Sequence, residues 1–341
     1  MKFIDIFAGI GGFRSGMELA GHECVGYIEF DKFARKSYEA IHETAGEFTA
    51  WDINDVNADE VPEADVWCFG FPCQDISLAG NKKGFSGAKS SLFFSVTGLL
   101  REKQEKDRPK YLFIENVKNL LSINKGREFA RLIIELDEIG YDVQWRVIDS
   151  KHYVAQHRER VYIVANLRSK SGWEVLSIGS IARQVNQATL KQIGNVGDLS
   201  KYGGNPQTGR IYFDDGVSPT LNTMQGGGKV PKILVRQATK TGFAEVSPGD
   251  SVNVSQPNSK TRRGRVGHKI ANTLTTQSEQ AVLLDDYRLR LLTPKECWRL
   301  QGFTDEQFDK AQEVNSNSQL YKQAGNSVTV PVIAELAKLF V

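Results

Sequence analysis

Cys73 stands in Gly70-Phe71-Pro72-Cys73-Gln74, directly after the apolar run Val66 to Phe69. Proline stiffens the loop and holds Phe71 extended, so the thiol is presented at the end of a strand. Cys24, Cys68 and Cys297 lie in apolar or helical contexts and read as small core residues. Glu115 follows the run Tyr111 to Ile114, and Arg158 and Arg160 precede the run Val161 to Ala165. Two residues apart in extended chain, the arginines point the same way. A nearby cation lowers a thiol pKa, and a carboxyl can give or take a proton. Taken singly, Glu115 reads as a strand-end acid and the arginines as salt-bridge partners. Together, each flanking a strand, the three sites are much less easily explained that way. No cysteine pair has C-x-x-C spacing and the five histidines are scattered. Neither a zinc site nor a disulfide framework is expected.

A second constellation lies at the N-terminus. Asp5-Ile6-Phe7-Ala8-Gly9-Ile10-Gly11-Gly12 is a strand followed by a glycine turn, and Glu29 lies 20 residues after Gly9. Glycines let a ligand approach the backbone, and an acid at that distance can bind ribose hydroxyls. A dinucleotide would want a small residue where this chain has Arg14. The other ligand is a nucleoside without pyrophosphate, such as S-adenosylmethionine.

These residues need a scaffold that brings strand ends to one edge. Strands are expected at Phe3 to Phe7, Val25 to Ile28, Val66 to Phe69, Tyr111 to Ile114, Tyr141 to Val147 and Val161 to Ala165. Helical spacing intervenes at Phe13 to Leu19, from Leu92, and through Phe129 to Leu136. Such alternation implies an α/β fold with a mainly parallel sheet covered by helices, and ligands at its carboxyl edge. The texture changes between Ser180 and Asp285, which hold 13 of the 31 Gly and 5 of the 10 Pro. This window has 13 Lys and Arg against 7 Asp and Glu, a net of +6, whereas the remainder carries −4. The whole-chain charge of +2 therefore hides a basic insert in an acidic lobe. Helical pattern returns at Pro294 to Leu300 and Val330 to Phe340. At 341 residues the chain is long enough for two lobes. No apolar run reaches a membrane span, and the first residues do not read as a signal peptide.

Six segments now carry a resemblance to the cytosine-C5 DNA methyltransferases of prokaryotic or phage type. They are Phe7 to Gly12, Phe71 to Gln74, Glu115-Asn116-Val117, Gln156 to Arg160, Leu300-Gln301-Gly302-Phe303 and Gly325-Asn326-Ser327-Val328, in family order. The resemblance implies a Rossmann-like catalytic and cofactor lobe over residues 1–178. It implies a smaller, irregular β-rich target-recognition lobe over 179–321, and a segment 322–341 returning to the first lobe. Cys73 would be the nucleophile and Glu115 the acid, with Arg158 and Arg160 orienting the base and Cys73. S-adenosyl-L-methionine would be held by Phe7, Ala8, Gly9, Gly11, Gly12, Glu29, Phe30, Asp52, Ile53, Pro72, Leu92, Asn326 and Ser327. Phe30 would lie against the adenine, and Asp52-Ile53 at its edge. Gly87 to Phe93 and Ile76 depart from the family pattern, which bears on how the loop after Cys73 closes.

The implied chemistry is methyl transfer to C5 of a flipped-out cytosine in a specific double-stranded DNA sequence, through a covalent Cys73–C6 adduct. Gln74, Ser77, Gln225, Lys260, Arg262, Arg263 and Arg265 are the expected DNA contacts. A tRNA cytosine-C5 methyltransferase on the same scaffold is the alternative. A metal-free, non-membrane, cytoplasmic monomer is expected, encoded by a bacterial host or a phage. The resemblance implies a restriction-modification or phage-protection setting, the former with a cognate restriction endonuclease as companion.

Overall fold

The computed structural model describes residues 1–71, 92–170, 211–213, 232–257, 259, 261–285 and 288–340. Pro72, Cys73, Gln74, Ser77, Gln225 and Lys260 lie outside the described residues. The chain divides into two compact units. One comprises Met1–Arg183, Thr275–Gln277 and Thr293–Val341, and the other Gln184–Leu274 and Ser278–Leu292.

The first unit is built on strands β1 (Lys2–Ile6), β2 (Glu23–Ile28), β3 (Phe48–Ala50), β4 (Val66–Phe69), β5 (Tyr111–Val117), β6 (Tyr141–Asp149) and β7 (Glu159–Leu167). They form one sheet in the order β3-β2-β1-β4-β5-β7-β6. The first five are parallel, and β7 runs antiparallel to both its neighbours. Residues 3–6 of β1 and all of β4 are buried, as a sheet covered on both faces requires. Alternation sorts their side chains into two layers. Ile4, Ile6, Trp67, Phe69, Leu112 and Ile114 face one way, packing with α3 (Leu92–Glu102) and α4 (Arg127–Glu138). Phe3, Val66, Cys68 and Phe113 face the other, with α1 (Gly12–Leu19) and α8 (Val330–Ala337). A Cβ on Gly16 of α1 would stand 2.5 Å from Ile333, so glycine permits the close approach of these two helices.

The sequence pattern did not reveal α2 (Lys32–Ile41), α6 (Asp305–Val314) or α7 (Asn317–Asn326). Each carries a polar residue at its N-cap; Asp31 accepts from the Phe33 and Ala34 N–H groups, and Thr304 from that of Gln307. One expectation is corrected. Residues 293–321, assigned to the target-recognition lobe, belong to the first unit, carrying α5 (Pro294–Leu300), α6 and α7. Trp298 of α5 is fully buried against Phe303 and Phe308, which closes this helical group on itself.

The second unit is all β among the described residues. A three-stranded sheet contains β8 (Ile211–Phe213), β9 (Lys232–Arg236) and β10 (Phe243–Val246) in the order β10-β9-β8. A four-stranded antiparallel sheet contains β11 (Ser251–Asn253), β12 (Val266–Gly267), β13 (Gln280–Leu283) and β14 (Leu289–Leu291), ordered β12-β11-β13-β14. Val235, Val246, Val252 and Leu283 form its small core.

Candidate active site

The chain leaves β1 through Phe7 and Gly9, both at positive φ (55° and 60°), and enters α1 behind Gly11. The Gly11 N–H donates to the Ala8 carbonyl at 2.9 Å, closing the turn. A Cβ on Gly9 would meet nothing within 4 Å, so this face of the turn is open to a cavity. The other two glycines are also demanded by packing. A Cβ on Gly11 would stand 2.2 Å from His42 Nε2, and one on Gly12 would stand 2.7 Å from Ser327 Oγ and Val328 Cγ2. Arg14 is buried rather than merely obstructive. Its guanidinium pairs with Glu47 at 2.8 Å and Glu18 at 2.7 Å and donates to the Glu43 carbonyl.

Glu29 emerges from β2 beside this turn. Its Oε2 accepts from the Gly9 N–H at 2.7 Å and its Oε1 from the Asp31 N–H at 2.6 Å. Burial pushes its carboxyl above the usual range, and the two N–H groups pull it part of the way back. Phe30 projects into solvent at 75% exposure. Asp52 caps the turn Ile53–Asp55 through the Asn54 N–H, and Ile53 is buried.

Glu115 lies within β5 rather than after it, and Arg160 within β7 rather than before it. Val117 pairs with Arg160 and Glu115 with Tyr162 across the two strands. Glu115 and Arg160 are thus diagonal neighbours, and Arg160 Nε lies 3.0 Å from Glu115 Oε1. Burial pushes Glu115 above the usual carboxylate range, while Arg160 and then Arg158 act against it. Arg158 also reaches the C-terminal segment. It is 3% exposed and donates to the Gly325 and Ser327 carbonyls at 3.0 and 2.8 Å. Asp149 orders the turn that delivers both arginines, accepting from the Lys151 and Arg158 N–H groups with His157 Nδ1 at 2.7 Å.

Two residues without an assigned role in the sequence reading stand out. Asn116 Nδ2 donates to the Phe71 carbonyl at 3.0 Å, so the residue after Glu115 ties down the root of the Pro72-Cys73 segment. Gln301 is fully buried; it donates to the Ala324 carbonyl and accepts from the Thr329 hydroxyl, while Gln156 donates to the Leu300 carbonyl. An amide among apolar neighbours in Leu300 to Phe303 was the available signal, since a buried amide must find partners. Asn326, at the end of α7, is exposed and Ser327 buried.

The described basic residues of the insert differ in kind. Arg263 is exposed, whereas Arg262 is half-buried and donates to Ser255. Arg265 corrects the expectation of a DNA contact. It is 2% exposed, and its guanidinium donates to the Asn253, Arg236 and Pro257 carbonyls. Spent on the interior of the second unit, it has no face left for a phosphate.

One cavity of about 520 Å³ in the first unit is lined by both sets of candidates. Phe7, Ala8, Gly9, Gly12, Glu29, Phe30, Asp52, Ile53, Leu92, Asn326 and Ser327 meet Glu115, Arg158 and Arg160 on its wall. Its chemistry fits a nucleoside cofactor: a buried carboxylate, an open glycine turn and apolar walls. Among the described residues no cluster of His, Cys, Asp and Glu could hold a metal ion, and no helix is long and apolar enough to cross a membrane.

The family model described as C-5 cytosine-specific DNA methylase matches residues 1–340. The orphan methyltransferase M.SPRI of Bacillus phage SPR is 29% identical, over 99% of this chain and 97% of its own length. The type II methyltransferase M.HhaI of Haemophilus parahaemolyticus is 30% identical, over 99% of this chain and 93% of its own. Among solved structures, the Entamoeba histolytica methyltransferase EhMeth shares the fold, with a TM-score of 0.58 at 18% identity over 99% of this chain and 97% of that one. With the match running through both compact units, this chain belongs to the C-5 cytosine-specific DNA methylase family.

Proposed function

We propose that this methyltransferase moves a methyl group from S-adenosyl-L-methionine to C5 of a cytosine flipped out of a specific double-stranded DNA sequence. The observation that carries the reading is that one cavity has Gly9 and Glu29 on its wall together with Glu115 and Arg160. Phe7, Ala8, Gly9, Gly12, Glu29, Phe30, Asp52, Ile53, Leu92, Asn326 and Ser327 would hold the cofactor, with Pro72 from the adjoining segment. Gly11 supports the turn from behind. When bound, the cofactor supplies an electrophilic methyl on a sulfonium and leaves as S-adenosyl-L-homocysteine.

The protein's residues make C5 nucleophilic. The Cys73 thiolate adds to C6, and electron density moves toward C5 and N3. Glu115, held toward its protonated form by burial, gives N3 a proton or hydrogen bond, worth about 10²–10⁴-fold. Arg160 fixes the carboxyl, and Arg158 fixes the carbonyls of the segment carrying Asn326 and Ser327. After methylation the C5 proton passes to solvent water, N3 returns its proton to Glu115, the C6–S bond breaks and the Cys73 thiolate is restored. Arg262 and Arg263, with Lys260, Gln225, Gln74 and Ser77, are the candidates for DNA contact. A restriction-modification or phage-protection setting inside a bacterial cell suits the reading, with the enzyme acting as a monomer.

Bisulfite sequencing of DNA from expressing cells gives the methylated sequence. A duplex carrying 5-fluorocytosine there should form a denaturant-resistant adduct with the parent chain and none with Cys73→Ala, since fluorine cannot leave as a proton does. Cys73→Ala should still bind S-adenosyl-L-homocysteine. Methylation confined to tRNA would replace the DNA reading, and no adduct on either substrate would end the covalent mechanism.

A further inference from the structure

Ile28 of β2 pairs with Ala50 of β3, and the Glu29 N–H donates to the Ala50 carbonyl at 3.2 Å. The two strands end in register, so Trp51 leaves the sheet beside Glu29 and Phe30. Both Trp51 and Phe30 line the cavity, and both are largely in water, at 68% and 75% exposure. Two large rings left exposed at the rim of an apolar cavity are costly unless a ligand covers them. Trp67 and Trp298, by contrast, are fully buried.

Trp51 is also held in place. The Arg35 guanidinium carbon stands 4.1 Å from the centre of its rings, and Arg35 Nη1 donates to the Glu29 carbonyl at 3.0 Å. One face of the indole is therefore covered by a cation anchored on the backbone of the residue whose carboxylate faces the cavity. A pre-ordered aromatic loses little entropy when a second ring stacks on it.

Sheet order says which end of the site this surface serves. β3 is four strand spacings from β5, about 19 Å at the usual inter-strand distance, so Trp51 is remote from Glu115. We infer that Trp51, braced by Arg35, forms an aromatic wall for the purine of the cofactor, alongside Phe30. This deepens the cofactor reading above and rests on it.

Binding of S-adenosyl-L-homocysteine and of adenosine to the full chain, followed by calorimetry and tryptophan emission, tests it. Trp51→Ala should weaken both ligands by the same factor, about tenfold, as expected for loss of one stacked ring. Trp51→Phe should bind S-adenosyl-L-homocysteine within about threefold of the parent, because an aromatic face remains. The ligand should quench the emission of the parent; Trp51→Phe should lose most of that response, and Trp145→Phe should keep it. Unchanged affinity in Trp51→Ala, or full quenching in Trp51→Phe, would overturn the inference while leaving the cofactor site standing. A parent chain that binds no S-adenosyl-L-homocysteine would overturn the cofactor reading itself.

Discussion

Arg160 reaches diagonally from β7 to β5 and sets its Nε 3.0 Å from Glu115 Oε1, with both side chains largely shielded from water. Two opposing forces meet on this carboxyl. Burial is the larger and favours the protonated form, while Arg160 and Arg158 favour the carboxylate. A carboxyl raised by burial and held by a cation is suited to hand a proton to a substrate.

Removing the cation should tip that balance. In Arg160→Ala the carboxyl loses its nearest stabilising charge, so its pKa rises further and it keeps its proton to higher pH. The alkaline limb of the kcat profile should move up relative to the parent, even as kcat falls. Glu115→Gln, which cannot give up a proton, should lower kcat about 10²–10⁴-fold. An alkaline limb that stays put or moves down in Arg160→Ala would remove Glu115 as the group that titrates.

Stability carries the same sign. A carboxyl whose folded-state pKa is raised supports the fold most below its unfolded pKa, and that support fades as pH climbs through the folded value. Glu115→Gln mimics the protonated form. Its Tm should match the parent's near pH 4 and exceed it by pH 8, since only the parent must then bury a charge. A Tm gap that shrinks with rising pH would contradict the assignment of burial as the dominant influence.

Local pattern carried much of this site. The strand, the positive-φ turn and the acid 20 residues on are all short-range features, and the structure joins them through the Gly9 N–H and Glu29. The spacing of Arg158 and Arg160 marked a segment that lines the cavity, but their partners were out of reach. Arg158 bonds to carbonyls 167 and 169 residues away, and a residue's own neighbours cannot reveal which distant carbonyls lack donors. Gly12 shows the same limit, because it lines the cavity while its missing Cβ also makes room for Ser327 and Val328, more than 300 residues on. Charge counting located the basic insert but could not tell an exposed guanidinium from one consumed by the interior, as Arg263 and Arg265 demonstrate.

Those two arginines should therefore separate experimentally. Arg263→Ala should flatten the salt dependence of DNA affinity by about one unit of slope and leave the fold intact. Arg265→Ala strips donors from three backbone carbonyls, at a cost of about 2–4 kcal/mol to the second unit. Amide hydrogen exchange should rise across Lys232–Arg236 and Ser251–Asn253 in Arg265→Ala and stay at the parent level in Arg263→Ala. Equal protection in the two variants would mean that the Arg265 bonds are dispensable.

Gly302 tests whether the Leu300 to Phe303 turn supports the cavity from a distance. It sits at φ 87°, and a Cβ there would stand 2.3 Å from Pro331 Cδ, part of the first turn of α8. Its neighbour Gln301 binds the Ala324 and Thr329 groups and accepts the Val330 N–H, so a shift at 302 reaches Asn326 and Ser327 on the cavity wall. Gly21 is the control, with φ 86° and nothing within 4 Å of its Cβ position. Gly21→Ala carries only the left-handed backbone strain, about 1–2 kcal/mol, and should leave S-adenosyl-L-homocysteine binding unchanged. Gly302→Ala adds the collision with a rigid ring, a further cost of about 1–3 kcal/mol. It should also weaken S-adenosyl-L-homocysteine binding. Equal destabilisation of the two variants, with binding intact in both, would show that the turn does not transmit to the cofactor wall.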